Sequence, residues 1–168
     1  MKSYSIAIPG EPISKHRPRF ASRIKKLPGG KIRAFSMAYS DQETEESKVM
    51  WHISSSWNQI PIEKGVPIAL VMRFFMPVRK TSMKKIRMMI AGEIEPAKKP
   101  DLDNLVKFYK DCMREIVYDD DSQVVFTKSF KTYAPQAKTE IDILWPWTRQ
   151  NMAEEYLKRP PGCTQVDR

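Results

Sequence analysis

The residues that could do chemistry fall in two acidic clusters, Asp101-Leu102-Asp103-Asn104 and, shortly after, Asp119-Asp120-Asp121-Ser122-Gln123. Carboxylates packed this closely repel one another, and each is costly to desolvate without a neighbouring cation. A hard divalent cation wants oxygen ligands, and Mg²⁺ takes one or two carboxylates while keeping waters and phosphate oxygens in its other positions. Asp101 and Asp103 could make such a site, with Mn²⁺ as a substitute ion. Residues two apart do not share a face inside a regular helix, but at a helix start the cap residue lies outside helical geometry and can swing toward the first turn. The second cluster would then supply a third oxygen ligand from the start of a strand near Gln123.

Lys107 stands one turn beyond Asp103, and Asp111 one turn further. That row reads in two ways. It can be ordinary surface ion pairs, each worth less than about 1 kcal/mol, or Lys107 can face the metal site and neutralise a phosphate or developing negative charge. Asp101 can likewise be a plain N-cap, and Asp119 to Asp121 a polar turn.

The surrounding chain favours a polyanionic partner. Its 168 residues carry a formal net charge of +9, and positive potential raises association with phosphates whatever the fold. The length suits a single domain with a real core. Residues 1 to 148 are expected to form it, with 149 to 168 a polar tail. No run reaches the roughly 18 apolar residues of a spanning helix, the N-terminus does not read as a signal peptide, and no membrane partner is expected. Cys112 and Cys163 have no metal or disulfide spacing, which suits reduced thiols in the cytoplasm, with Cys112 a core residue.

The elements that must position the acids are legible from periodicity. Ser3 to Ile8 alternates as a strand, and Val66 to Met76 is a near-continuous apolar run ended by Pro77, as in a buried central strand. Asp41 to Trp57 has helical spacing, with Ser40 as cap. Leu102 to Ile116 places Leu102, Leu105, Val106, Tyr109, Cys112, Met113 and Ile116 on one core-facing side. Gln123 to Tyr133 and Thr139 to Trp145 read as two strands joined by a short turn. Two basic segments remain: Lys15 to Arg33, read as a loop or hairpin, and Arg79 to Arg87, running into a short helix whose methionines are expected in the core. Lys15, Arg17, Arg19, Arg23, Lys25, Lys26, Arg79, Lys80, Lys84 and Lys85 are the candidate contacts to a nucleic-acid backbone, and a solvated surface loop is the other reading of the first segment.

Asp101-Leu-Asp103-Asn104-Leu105 with Lys107 and Asp111, then Asp120-Asp121-Ser122-Gln123-Val124, together with Ile8-Pro9-Gly10, Pro12 and the basic Lys15 to Arg19, resemble the RusA family of Holliday junction resolvases, common in phages and prophages. The resemblance implies an α+β fold, a single domain with a mixed β-sheet packed against helices, working as a homodimer. It also implies a divalent-metal endodeoxyribonuclease of DNA recombination and repair, cutting four-way junctions or other branched DNA by paired phosphodiester hydrolysis. Position by position, the family's essential acids fall on Asp101, Asp103 and Asp121 and its essential lysine on Lys107, with Asp120 and Asp111 secondary. The first basic segment and the Lys80 to Glu95 stretch look longer than in the shortest family members. Two other readings of the residues are a DNA-binding protein whose acids are only caps and turns, and a Mg²⁺-dependent nucleotide phosphohydrolase with no use for the long basic segments.

Overall fold

In a computed structural model the described residues are 1–16, 19–26, 32–39, 41–148 and 150, with 19–26 and 32–39 described by their backbone alone. The tail expected over 149–168 lies outside them apart from Gln150, as do Arg17, Ser40 and Cys163.

The order along the chain is β1 (Lys2–Pro9), β2 (Arg19–Lys26), β3 (Ile32–Tyr39), α1 (Glu43–Ser56), β4 (Ile68–Pro77), α2 (Met83–Ile90), α3 (Leu102–Met113), a 3₁₀ turn (Asp121–Gln123), β5 (Val124–Ala134) and β6 (Lys138–Trp145). Four strands form a mixed sheet in the order β1-β6-β4-β5, with β4 antiparallel to β6 and parallel to β5. Of the two readings of the first basic segment after Lys15, loop or hairpin, antiparallel β2 and β3 give the hairpin. β5 and β6 follow one another closely but are not partners. Their connection crosses the end of β4, which lies between them in the sheet.

Alternation along β4 decides the layers. Ile68, Leu70, Met72, Phe74 and Met76 point into the main core with Ile141, Ile143, Ile6 and Ile8, beneath α1 and α3. Ala69 and Val71 face the other side, where Leu144 and Trp147 close a small second cluster. β4 is therefore buried on both faces, which is why its apolar run is nearly unbroken.

α1 starts two residues later than expected. Gln42 holds the N-cap position, and its amide is used elsewhere, accepting from the His16 N–H and donating to the Ser14 carbonyl. α2 corrects the core expectation for its methionines: none of its residues is buried, and Met83 is 65% exposed. Its basic face and its position over the edge strand β5, rather than over the sheet centre, leave it half in solvent. Cys112 is buried, as expected, and burial pushes its thiol up to about 12, so it is a core group without thiolate chemistry.

Candidate active site

α3 carries the site because its two sides differ in chemistry. Leu105, Phe108, Tyr109, Cys112 and Met113 are buried against the sheet and α1. Phe108, absent from the expected apolar face, is fully enclosed. A second stripe, Asp103, Val106, Lys107 and Lys110, follows the i, i+3, i+4, i+7 spacing of one helix face. That stripe borders a cavity of about 660 Å³, whose other wall is made by Asp121 and by Thr127 and Ser129 of β5, with Leu102 at one end.

The cavity exists because β5 changes character. Thr127 and Ser129 pair in register with Leu70 and Met72 of β4. Where β4 sends large apolar side chains under α3, its neighbour sends small hydroxyls, and the space between α3 and the sheet edge stays open, with charged and hydroxyl groups set in a largely apolar wall.

The α3 start is built as anticipated in position but not in bonding. Asp101 holds the N-cap position with extended backbone, yet its side chain makes no capping hydrogen bond, and the carboxylate is exposed. Asp103 follows in the first turn, also exposed. The proposed surface ion-pair row does not form: among the described residues Lys107 has no ion pair. Asp111 turns away to Lys15, whose Nζ lies 3.1 Å from it and 2.9 Å from Glu46. Burial works against the Lys15 charge, but the two carboxylates outweigh it and raise its pKa. The Lys15 charge is thus spent within the chain, tying α1 to α3.

The second acid cluster is held by a buried glutamine. Gln123 accepts from the N–H groups of Asp119 and Asp120 and donates to the carbonyls of Glu63 and Val66. Asp120 caps the 3₁₀ turn, accepting from the Ser122 N–H at 2.8 Å, and hydrogen bonding to the Ser122 side chain first, with that N–H second, lowers its pKa. Asp120 and Gln123 form a capping box, a pattern readable in the sequence as Asp-x-x-Gln. Asp120 thereby serves the turn, and Asp119 lies near Lys64. Asp121 is left facing the cavity. Its Oδ1 is buried and has no hydrogen-bond partner among the described residues.

The structure therefore brings Asp103, Lys107 and Asp121 to one cavity, places Asp101 on the adjoining helix start, and sends Asp111 and Asp120 to structural work. Lys110, Thr127 and Ser129 join the lining and were not anticipated. Lys110 is readable in retrospect as the next member of the Asp103, Lys107 stripe; the two hydroxyls depend on strand register. Of the remaining basic candidates, Arg79, Lys80, Lys84 and Lys85 are exposed around α2. The side chains of Arg19, Arg23, Lys25 and Lys26 lie outside the described residues.

The donor chemistry fits a hard divalent cation. Among the described residues no three acids, histidines or cysteines gather closely enough to hold a metal alone. Mg²⁺ does not need three, since two carboxylates completed by waters and phosphate oxygens suffice. The orphaned Asp121 Oδ1 is what a cation would satisfy, because a buried carboxylate oxygen without a donor is otherwise costly.

Among the described residues no helix is long and apolar enough to cross a membrane. The sequence is 30% identical over 146 residues to the uncharacterized protein YqaN of Bacillus subtilis (strain 168), covering 85% of this chain and 96% of that one. The family profile of endodeoxyribonuclease RusA matches residues 9–144, from the end of β1 to the penultimate residue of β6, and so includes both acid clusters and the strands β4 and β5 between which they are set. The chain belongs to the RusA endodeoxyribonuclease family.

Proposed function

We propose that this protein is a divalent-metal-dependent endodeoxyribonuclease that cuts branched DNA, four-way junctions foremost, as a homodimer in the cytoplasm. The observation that carries the reading is the meeting of Asp103, Lys107 and Asp121 at one cavity, with a buried oxygen on Asp121 that has no partner among the described residues. Asp103 and Asp121 would hold Mg²⁺, with Asp101 reaching in from the N-cap. When bound, the ion would polarise the scissile phosphate and lower the pKa of a coordinated water.

The chain's own groups do the rest. Lys107 shares the cavity with the two acids, where an ammonium can offset charge that builds on the phosphate during in-line attack. Lys110, with the Thr127 and Ser129 hydroxyls opposite, offers donors for an adjacent phosphate. The basic residues of α2 and of the β2–β3 segment would hold the DNA backbone. Two like sites in a homodimer could address two strands of one junction.

The division of labour between the two lysines tests the reading. Lys107→Ala should lower the maximal cleavage rate about 100-fold or more with junction Kd nearly unchanged, because its contact strengthens in the transition state. Lys110→Ala should mainly weaken binding and make the salt dependence shallower by about one phosphate contact. Single-turnover rates and Kd across a salt series separate the two. If both variants lose only affinity, the cavity is a binding surface and the non-catalytic reading stands. Turnover of free nucleotides in place of junctions would point to a phosphohydrolase.

A further inference from the structure

Beyond its two hydroxyls, the α3-facing row of β5 continues to Lys131, which pairs in register with Phe74. Lys131 neither lines the cavity nor forms an ion pair among the described residues. Its Nζ donates instead to two backbone carbonyls, those of Lys98 and Pro100, each at 2.8 Å. A lysine on a sheet edge ordinarily leaves its ammonium in water, free to rotate among three donors. Here two donors are committed to the residues immediately before Asp101. Bonds from a charged donor are roughly twice as strong as neutral ones.

The position of that clamp gives it meaning. Asp101 makes no side-chain cap bond, so it does not fix its own helix start. The first turn of α3 is held by the Leu105 N–H on the Asp101 carbonyl at 3.1 Å and by the Lys15 N–H on the Asn104 carbonyl at 2.9 Å. Just upstream, Lys131 ties the chain to the same strand whose N-terminal end follows Asp121. One rigid strand thus sets the separation between the two acid clusters.

We propose that Lys131 is a positioning residue that holds the Lys98–Pro100 segment against β5, and so fixes Asp101 and Asp103 relative to Asp121 for metal binding. This rests on the proposed reading of those acids as the metal-holding set. Side chains that orient metal ligands from behind commonly change metal affinity or activity about 10- to 100-fold when removed.

The test compares full-length wild type, Lys131→Met and Lys131→Arg, the last keeping a charged multiple donor. In the metal-free protein, Lys131→Met should speed amide hydrogen exchange at Leu105 at least about 10-fold, with β4 amides unchanged. In cleavage assays it should raise the half-saturating Mg²⁺ concentration about 10-fold with junction Kd within about 2-fold of wild type, and Lys131→Arg should recover most of both effects. If Lys131→Met does not fold, Lys131→Gln is read by the same two measures. Unchanged Leu105 exchange and unchanged Mg²⁺ dependence overturn the proposal. So does a loss confined to DNA affinity with a shallower salt slope, which makes Lys131 a phosphate contact. Faster Leu105 exchange alongside a wild type that cleaves no DNA with any metal would uphold the clamp and sink the nuclease reading instead.

Discussion

Asp121→Asn is expected to reduce metal-dependent cleavage by about a thousandfold or more, the scale of losing a charge-stabilising group at a reacting centre. Junction affinity should be unchanged or tighter, because a carboxylate that repels the phosphate is removed. The same substitution should leave stability unchanged or raise it by about 1 kcal/mol. The reason is the buried Asp121 Oδ1, which has no donor among the described residues. A buried unsatisfied charged oxygen destabilises the fold, and a neutral amide of the same shape relieves part of that cost. Single-turnover cleavage, junction Kd and urea denaturation on one preparation check all three. A variant that loses stability by 2 kcal/mol or more in step with activity would make Asp121 a structural residue of the turn.

The second large effect is on stability. Phe108 is fully buried on the side of α3 that faces the sheet, its ring edge-on to Tyr109 at 5.3 Å, and Tyr109 in turn packs on Phe74 at 5.6 Å. Phe108→Ala should destabilise the protein by about 3–5 kcal/mol, from lost transfer free energy and from a cavity that β4 and α1 cannot close. Against a typical total of about 5–15 kcal/mol this is severe. The urea midpoint should fall accordingly, while the folded fraction keeps its Mg²⁺ requirement because the cavity-facing stripe is untouched. A loss under about 1 kcal/mol would show that α3 is not locked to the sheet by this ring, and with it the positioning of Asp103 and Lys107.

Much of the scaffold was legible because its signals are periodic. β4 reads as a central strand from its unbroken apolar run, and α3 reads as a helix from its apolar spacing after Pro100. Both agree with their burial. Phe108, absent from the expected face, carries the same signal as its neighbours, since it stands three residues after Leu105 and four before Cys112. For the α2 methionines apolar character predicts core, but α2 meets the sheet at its edge, where there is too little surface to bury them.

At the site, residue types pointed to Asp101, Asp103, Lys107 and Asp121, whereas their division into roles came from contacts. Asp120 and Asp121 are adjacent and chemically identical, yet one caps a turn, in a capping box with Gln123, and the other faces the cavity. Asp111 sits on the same helix as Lys107 but is drawn to Lys15 from the segment after β1. Thr127, Ser129 and Lys131 carry no local signal, since only the parallel register of β5 on β4 brings them under α3.

The most direct measurement is cleavage of a labelled synthetic four-way junction and of a linear duplex of the same sequence by wild type and Asp103→Asn, each with and without Mg²⁺. Paired, Mg²⁺-dependent nicks confined to the junction and lost in Asp103→Asn are the predicted result. Junction binding without cleavage in Mg²⁺ or Mn²⁺, equal in wild type and variant, would contradict it.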